Sequence, residues 1–250
     1  MTTLALPYSQ PLPRRLWLAS FALLGATLAW DASSLDRTVM HWLADGNGFA
    51  LRHQWLLERV LHDVARQLAT LAFVALVVMV WLLLGRLRQL SRWQRAEIAT
   101  GTGLALAAVN AIKRHSLTSC PWDLQDFGGV ASYVSHWSWG MVDGGGGNCF
   151  PGGHASAAMA FLALPLPWLA SRDALQRQTG LRMLAGVFSV GLLLGLTQTL
   201  RGAHYPSHTW WTALICWGVA LANHGLFTMV KGSLNSMRKG LATSSSSAES

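Results

Sequence analysis

The sequence predicts an all-α protein, a bundle of six transmembrane helices, and three observations carry that expectation. Of 250 residues, 52% are hydrophobic and only 12% are charged, where soluble domains carry about 25% charged residues. Apolar runs of membrane-spanning length recur along the chain. From Gln67 to Gly85 there is no charged residue, and Arg66 and Arg86 bound the run; a span needs about 20 such residues. There are 13 tryptophans, a side chain that favours the membrane–water interface. Mean hydropathy is +0.32. The net charge of +8 does not indicate a nucleic-acid partner, because the positive residues lie in short patches between apolar runs and form no continuous stripe.

The elements follow in order. The first expected span is 16–30. Arg14 and Arg15 before an apolar stretch also read as a signal peptide, but no small-x-small cleavage site stands near Asp31. From Asp31 to Arg66 the chain is polar with Trp42, Leu43, Phe49, Leu51, Trp55, Leu56, Val60 and Leu61 interspersed, the pattern of amphipathic helices on the outer surface. The further spans are 67–85, 98–112, 155–170, 183–200 and 208–229. Residues 1–231 form one membrane-embedded domain, with its motif core at 94–228, and the serine-rich 232–250 is expected to be a disordered tail. Arg86, Arg88, Arg92 and Arg95, then Arg172, Arg177 and Arg182, fall on one side with both termini. The positive-inside rule makes that side cytoplasmic, and the expected location is a bacterial-type inner membrane. Arg37, Arg52, Arg59 and Arg66 on the other side dilute the bias.

Three polar clusters fall on the outer side by span count alone. They are Lys113-Arg114-His115 leading to Cys120-Pro121, Phe150-Pro151-Gly152-Gly153-His154, and Arg201-Gly202-Ala203-His204-Tyr205-Pro206-Ser207-His208. Phosphoryl transfer needs fixed positive charge and N–H donors around the equatorial oxygens. Lys113, Arg114 and Arg201 supply charge, and Gly152 and Gly153 before a helix supply N–H groups at a positive helix end. One histidine attacks phosphorus while another protonates the leaving oxygen, and an ordinary pKa of about 6.5 suits both roles. Taken singly, each feature has a plainer explanation: an interfacial Lys-Arg anchor, a glycine turn, a hydrogen-bonded histidine. Their co-occurrence on one face is what favours chemistry. A zinc-type site from His154, His204 and His208 with a cysteine is the rival; no supporting carboxylate or cysteine spacing accompanies it.

At these residues the chain resembles the type 2 phosphatidic acid phosphatase superfamily, whose ordered motifs are K-x6-R-P, P-S-G-H and S-R-x5-H-x3-D. Lys113 precedes Cys120-Pro121 by the first spacing, Pro151-Gly152-Gly153-His154 is similar to the second motif, and His204 to His208 is similar to the end of the third. The resemblance implies a six-helix membrane bundle with its motifs at the outer surface. It implies His204 as the nucleophile forming a phosphohistidine, His154 as general acid, and Lys113 with the Gly152–Gly153 backbone as phosphate holders. It implies no metal, so no cofactor is expected. Four positions depart from the pattern: Cys120 and Gln198 replace arginines, Gly152 replaces serine, and His208 replaces the aspartate that orients the nucleophile. Arg114 and Arg201 are the candidate replacements for the arginines.

Cys120 and Cys149 share the outer loop, where an oxidising compartment permits a disulfide. Trp122, Tyr133, Trp137 and Trp139 in that loop read as interface anchors, or alternatively as a cover over the headgroup site. The expected function is a metal-independent membrane phosphatase acting on a lipid phosphate or diphosphate. The alternatives are transfer of phosphate between lipids and a non-catalytic protein that binds anionic lipid. The expected partners are the substrate and membrane lipids. The substrate's identity and the oligomeric state are not encoded in any motif.

Overall fold

The computed structural model describes residues 12–248; the expectations for residues 1–11 and 249–250 lie outside the described residues. The described chain is helical throughout its ordered elements, with two isolated bridges, Asp45 to Gly48 and Leu124 to Ala131, as its extended pairings. Helix α1 (Arg14–Ala32) turns sharply into α2 (Leu35–Leu43). A π-helical segment, Leu56–Val64, runs into α3 (Ala65–Val78). Helix α4 (Arg92–His115) follows, opened by a capping box in which Ser91 and Gln94 satisfy each other's backbone N–H groups. After the long loop come the short α5 (Ser156–Met159), a 3₁₀ turn, and α6 (Leu166–Leu169). The fold ends with α7 (Ala174–Leu200), capped by the Asp173 carboxylate, and α8 (Pro206–Ala248).

Among the described residues, three stretches are long and apolar enough to cross a membrane: Leu56–Val78, Ala174–Leu200 and Pro206–Arg238. The pair α1 and α2, bent by 69°, raises the number to four if it is one broken span. The expected count of six is therefore not confirmed among the described residues, and two features bear on it. Helix α4 is central to the packing but carries Arg95 and Glu97 in its interior. Both find partners inside the protein: Arg95 donates from its two terminal nitrogens to the carbonyls of Leu90 and Val80, and Glu97 meets His224 Nδ1 of α8 at 2.6 Å. The stretch 155–170 is broken into short turns, with Pro165 and Pro167 inside it, because proline removes a helical donor. Helix α8 continues to Ala248, through the segment read from sequence as a disordered tail.

The core is built around small residues on α4, α8 and the turns flanking α5, with Ala105, Ala155, Ala160, Ala163, Ala213 and Ala220 all buried. Such residues let backbones approach closely where lipid offers no hydrophobic drive between helices. Large apolar side chains face outward on α1, α3, α7 and α8, among them Phe21, Leu71, Val74, Leu193, Leu196 and Leu226. That is the surface a bilayer would cover. Trp217 donates to Ser20 Oγ at 2.7 Å and Trp211 to Asp31 at 2.6 Å, fastening α1 to α8. The arrangement gathers the C-terminal ends of α4 and α7, the approach to α5 and the start of α8 around one cavity.

Candidate active site

That cavity holds about 350 Å³ and is lined by Lys113, Cys120, Trp122, His154, Gln198, Arg201, Ala203 and His204, closed on one side by Glu58, Arg59 and Asp63. Lys113 reaches it from the last turn of α4, His154 from the turn before α5, and Arg201 and His204 from the link between α7 and α8. That link turns on Gly202, whose φ of +74° is open to glycine and whose missing Cβ would stand 2.2 Å from Phe49.

His204 is buried. Its Nδ1 lies 3.4 Å from Cys149 Sγ and 3.4 Å from Nδ1 of His208. Burial, then the positive Lys113 and the neighbouring His208 and His154, hold the His204 imidazole well below its usual pKa. The site thus favours the neutral imidazole over the charged one.

The cations differ in how they are compensated. Arg59 pairs with Asp63 at 3.6 Å. Arg201 is buried, donates to the carbonyl of Arg52 at 2.9 Å and to Gln198 Oε1 at 3.3 Å, and stands 3.7 Å from Glu58. Among the described residues no carboxylate comes within 4 Å of the Lys113 ammonium. A half-buried, unpaired ammonium facing a cavity favours an anion there.

Not every residue singled out from sequence arrives. Arg114 is exposed and does not line the cavity; successive helical residues point about 100° apart, so Lys113 takes the inward face alone. Arg201, one turn beyond Gln198, does come in. Gly153 packs against the Lys113 stem, where a Cβ would lie 3.5 Å from Cδ. The Gly152 N–H instead donates to the His208 carbonyl at 3.3 Å, α5 is only four residues long, and neither glycine lines the cavity, so the helix-end anion site expected from Pro151-Gly152-Gly153 is not formed as expected. His208 lies behind His204 and does not line the cavity.

Cys120 and Cys149 are joined by a disulfide that ties the first and second motif regions beside His204. Their sulfurs and a His204 ring nitrogen lie within 4.8 Å of one another, a donor set suited to zinc only if the sulfurs were reduced. Sequence reasoning missed Glu58, Arg59 and Asp63. The amphipathic pattern of 56–64 reads equally as a surface helix, and only the fold shows it as a wall, in a π-helical form that recurs at functional sites.

A helical, membrane-type bundle whose pocket gathers Lys113, Arg201, His154 and His204 fits a class of membrane proteins that handle phosphate esters. The chain belongs to the PAP2 superfamily, whose family model matches residues 94–231. Membership suggests phosphatase activity on phosphate esters, often those of lipids. No curated protein and no solved structure matches the chain.

Proposed function

We propose that this protein hydrolyses a phosphomonoester or diphosphate on a lipid through a phosphohistidine on His204, at the periplasmic face of a bacterial-type inner membrane. One observation carries the reading: Lys113, His154, Arg201 and His204 converge on a single cavity in which Lys113 has no carboxylate partner among the described residues. With Nδ1 of His204 enclosed by Cys149 and His208, Nε2 is the attacking nitrogen. Lys113 and Arg201 hold the equatorial oxygens as negative charge redistributes. His154 protonates the leaving lipid oxygen, then takes a proton from the water that releases phosphate from His204. The chain's own residues supply every role, so the reaction proceeds without a metal. The outward apolar faces of α1, α3, α7 and α8 favour a substrate delivered from the bilayer.

The test is phosphate release from a panel of lipid phosphates and diphosphates by the purified protein, with His204→Ala beside it and chelator present throughout. The reading expects release by wild type alone. Release abolished by chelator would move the chemistry to a metal. Phosphate appearing on an added lipid, not in water, would make the protein a transferase. No reaction with any member would leave a lipid-binding protein of this family.

A further inference from the structure

Behind the catalytic pocket lies a second cavity, about 50 Å³, lined by Asp31, Asp36, Tyr133, His136, Tyr205 and His208 among others. The two cavities share no lining residue. They meet through the histidine pair, because His204 lines the first, His208 lines the second, and their Nδ1 atoms are 3.4 Å apart.

Three buried polar atoms on residues of this second cavity lack a hydrogen-bond partner among the described residues: Asp31 Oδ1, His136 Nε2 and the Tyr205 hydroxyl. The other oxygen of Asp31 is well used, accepting from Trp211 Nε1 at 2.6 Å and Trp137 Nε1 at 3.1 Å. His136 Nε2 stands 3.3 Å from that same oxygen, close enough for an ion pair but off the line of a hydrogen bond. The His136 ring is fixed between Phe150, stacked at 4.3 Å, and His208, edge-on at 5.5 Å. Asp36, in contrast, is satisfied by Ser207 and Trp30, and Arg37 and Tyr133 complete the charged and titratable lining.

Buried polar groups are hydrogen-bonded as a rule, and a polar cavity offering about 10–15 Å³ per molecule is where ordered water does it. We propose that water in this cavity connects Asp31 to His208 and His136, making Asp31 the positioning carboxylate for His204 at one remove. Position 208 itself has an imidazole where the resembled motif has an acid, and Asp31, from a different helix, restores the missing negative charge.

The tautomers follow. For His204 Nε2 to attack, Nδ1 must carry the proton and donate to His208 Nδ1, which places the His208 proton on Nε2. As Nε2 of His204 bonds to phosphorus, its ring becomes cationic. The Nδ1 proton moves toward His208, the His208 Nε2 proton moves to water, and a water proton moves to Asp31. Hydrolysis of the phosphohistidine reverses each transfer, so no co-reactant is consumed. Asp31 acts through His208 and touches no substrate.

This inference rests on the phosphohistidine reading, and its test separates the two. Full-length protein carrying Asp31→Asn is compared with wild type for kcat and KM on a lipid phosphate and, at rest, for the ¹⁵N signals of its histidine rings. The amide oxygen still accepts from both tryptophans. The expected result is a kcat lower by roughly 100-fold, the low end of what positioned proton transfer contributes. KM stays unchanged, and the His208 signals move toward a mixture of tautomers. A kcat within threefold of wild type, or unaltered ring signals, overturns the proposal. Should Asp31→Asn fail to fold, Tyr205→Phe decides: a lower kcat with altered His208 signals supports it, and neither change overturns it. Should wild type release no phosphate from any lipid, the functional reading fails while the ring signals still decide the hydrogen-bonded link.

Discussion

Replacing Lys113 with methionine keeps the length of the side chain against Gly153 and removes its charge. Two effects follow from the geometry. The unpaired ammonium is the cation freest to follow the phosphoryl group, and deleting one such preorganised donor costs about 10²- to 10³-fold in rate, or roughly 2.7–4 kcal/mol. The same charge also holds the His204 pKa down, second only to burial. Without it His204 protonates more easily, its folded-state pKa rises toward the ordinary value, and the neutral fraction shrinks at mildly acidic pH. The acid limb of kcat/KM, which reports the free enzyme, therefore moves to higher pH. The assay is phosphate release across the acid range at substrate concentrations below KM, with thermal unfolding in detergent as the control for fold. A loss below threefold, or an acid limb that moves to lower pH, refutes the assignment of Lys113 to both roles.

Further outcomes are expected. Arg201→Ala, which also strands Glu58, loses activity by more than about tenfold, whereas Arg114→Ala, on the exposed face, stays within about twofold; parallel kinetics check the pair. Replacing both Cys120 and Cys149 by serine opens a loop of sequence separation 29, and the entropic model assigns that closure roughly 3–4 kcal/mol. Faster proteolysis between residues 116 and 155 and a lower melting temperature are the readouts. Gly202→Ala forces a Cβ into Phe49 at a positive φ and destabilises the protein by at least about 1 kcal/mol, seen as a lower melting temperature.

How far the sequence carries the account depends on the kind of signal. Lys113, His154, Arg201 and His204 were legible because their spacing and order agree with the side of the membrane expected from the apolar runs, and the fold brings them into one cavity. The span count was not. Residues 98–112 read as a span from apolarity alone, while the buried Glu97 just before them, which makes α4 a polar-cored helix, finds its partner in His224, remote in sequence. Arg114 and Lys113 are equal as letters, and the helical rotation between neighbours separates them. The Gly152 donor was visible, but its engagement with the His208 carbonyl is a tertiary fact. Asp31 and His136 gave no motif signal because 104 residues lie between them, and only the packing of the loop between α4 and α5 against α1 joins them.

The most direct test of the central claim is to trap the intermediate. Purified protein is mixed with a ³²P-labelled lipid phosphate, quenched in base within a turnover, and digested for mapping by mass spectrometry. The account predicts an acid-labile, base-stable phosphate on His204, absent from His204→Ala and accumulating in His154→Ala when a leaving group that needs no proton is used. Turnover with no label on any histidine, or label on a residue other than His204, would contradict it.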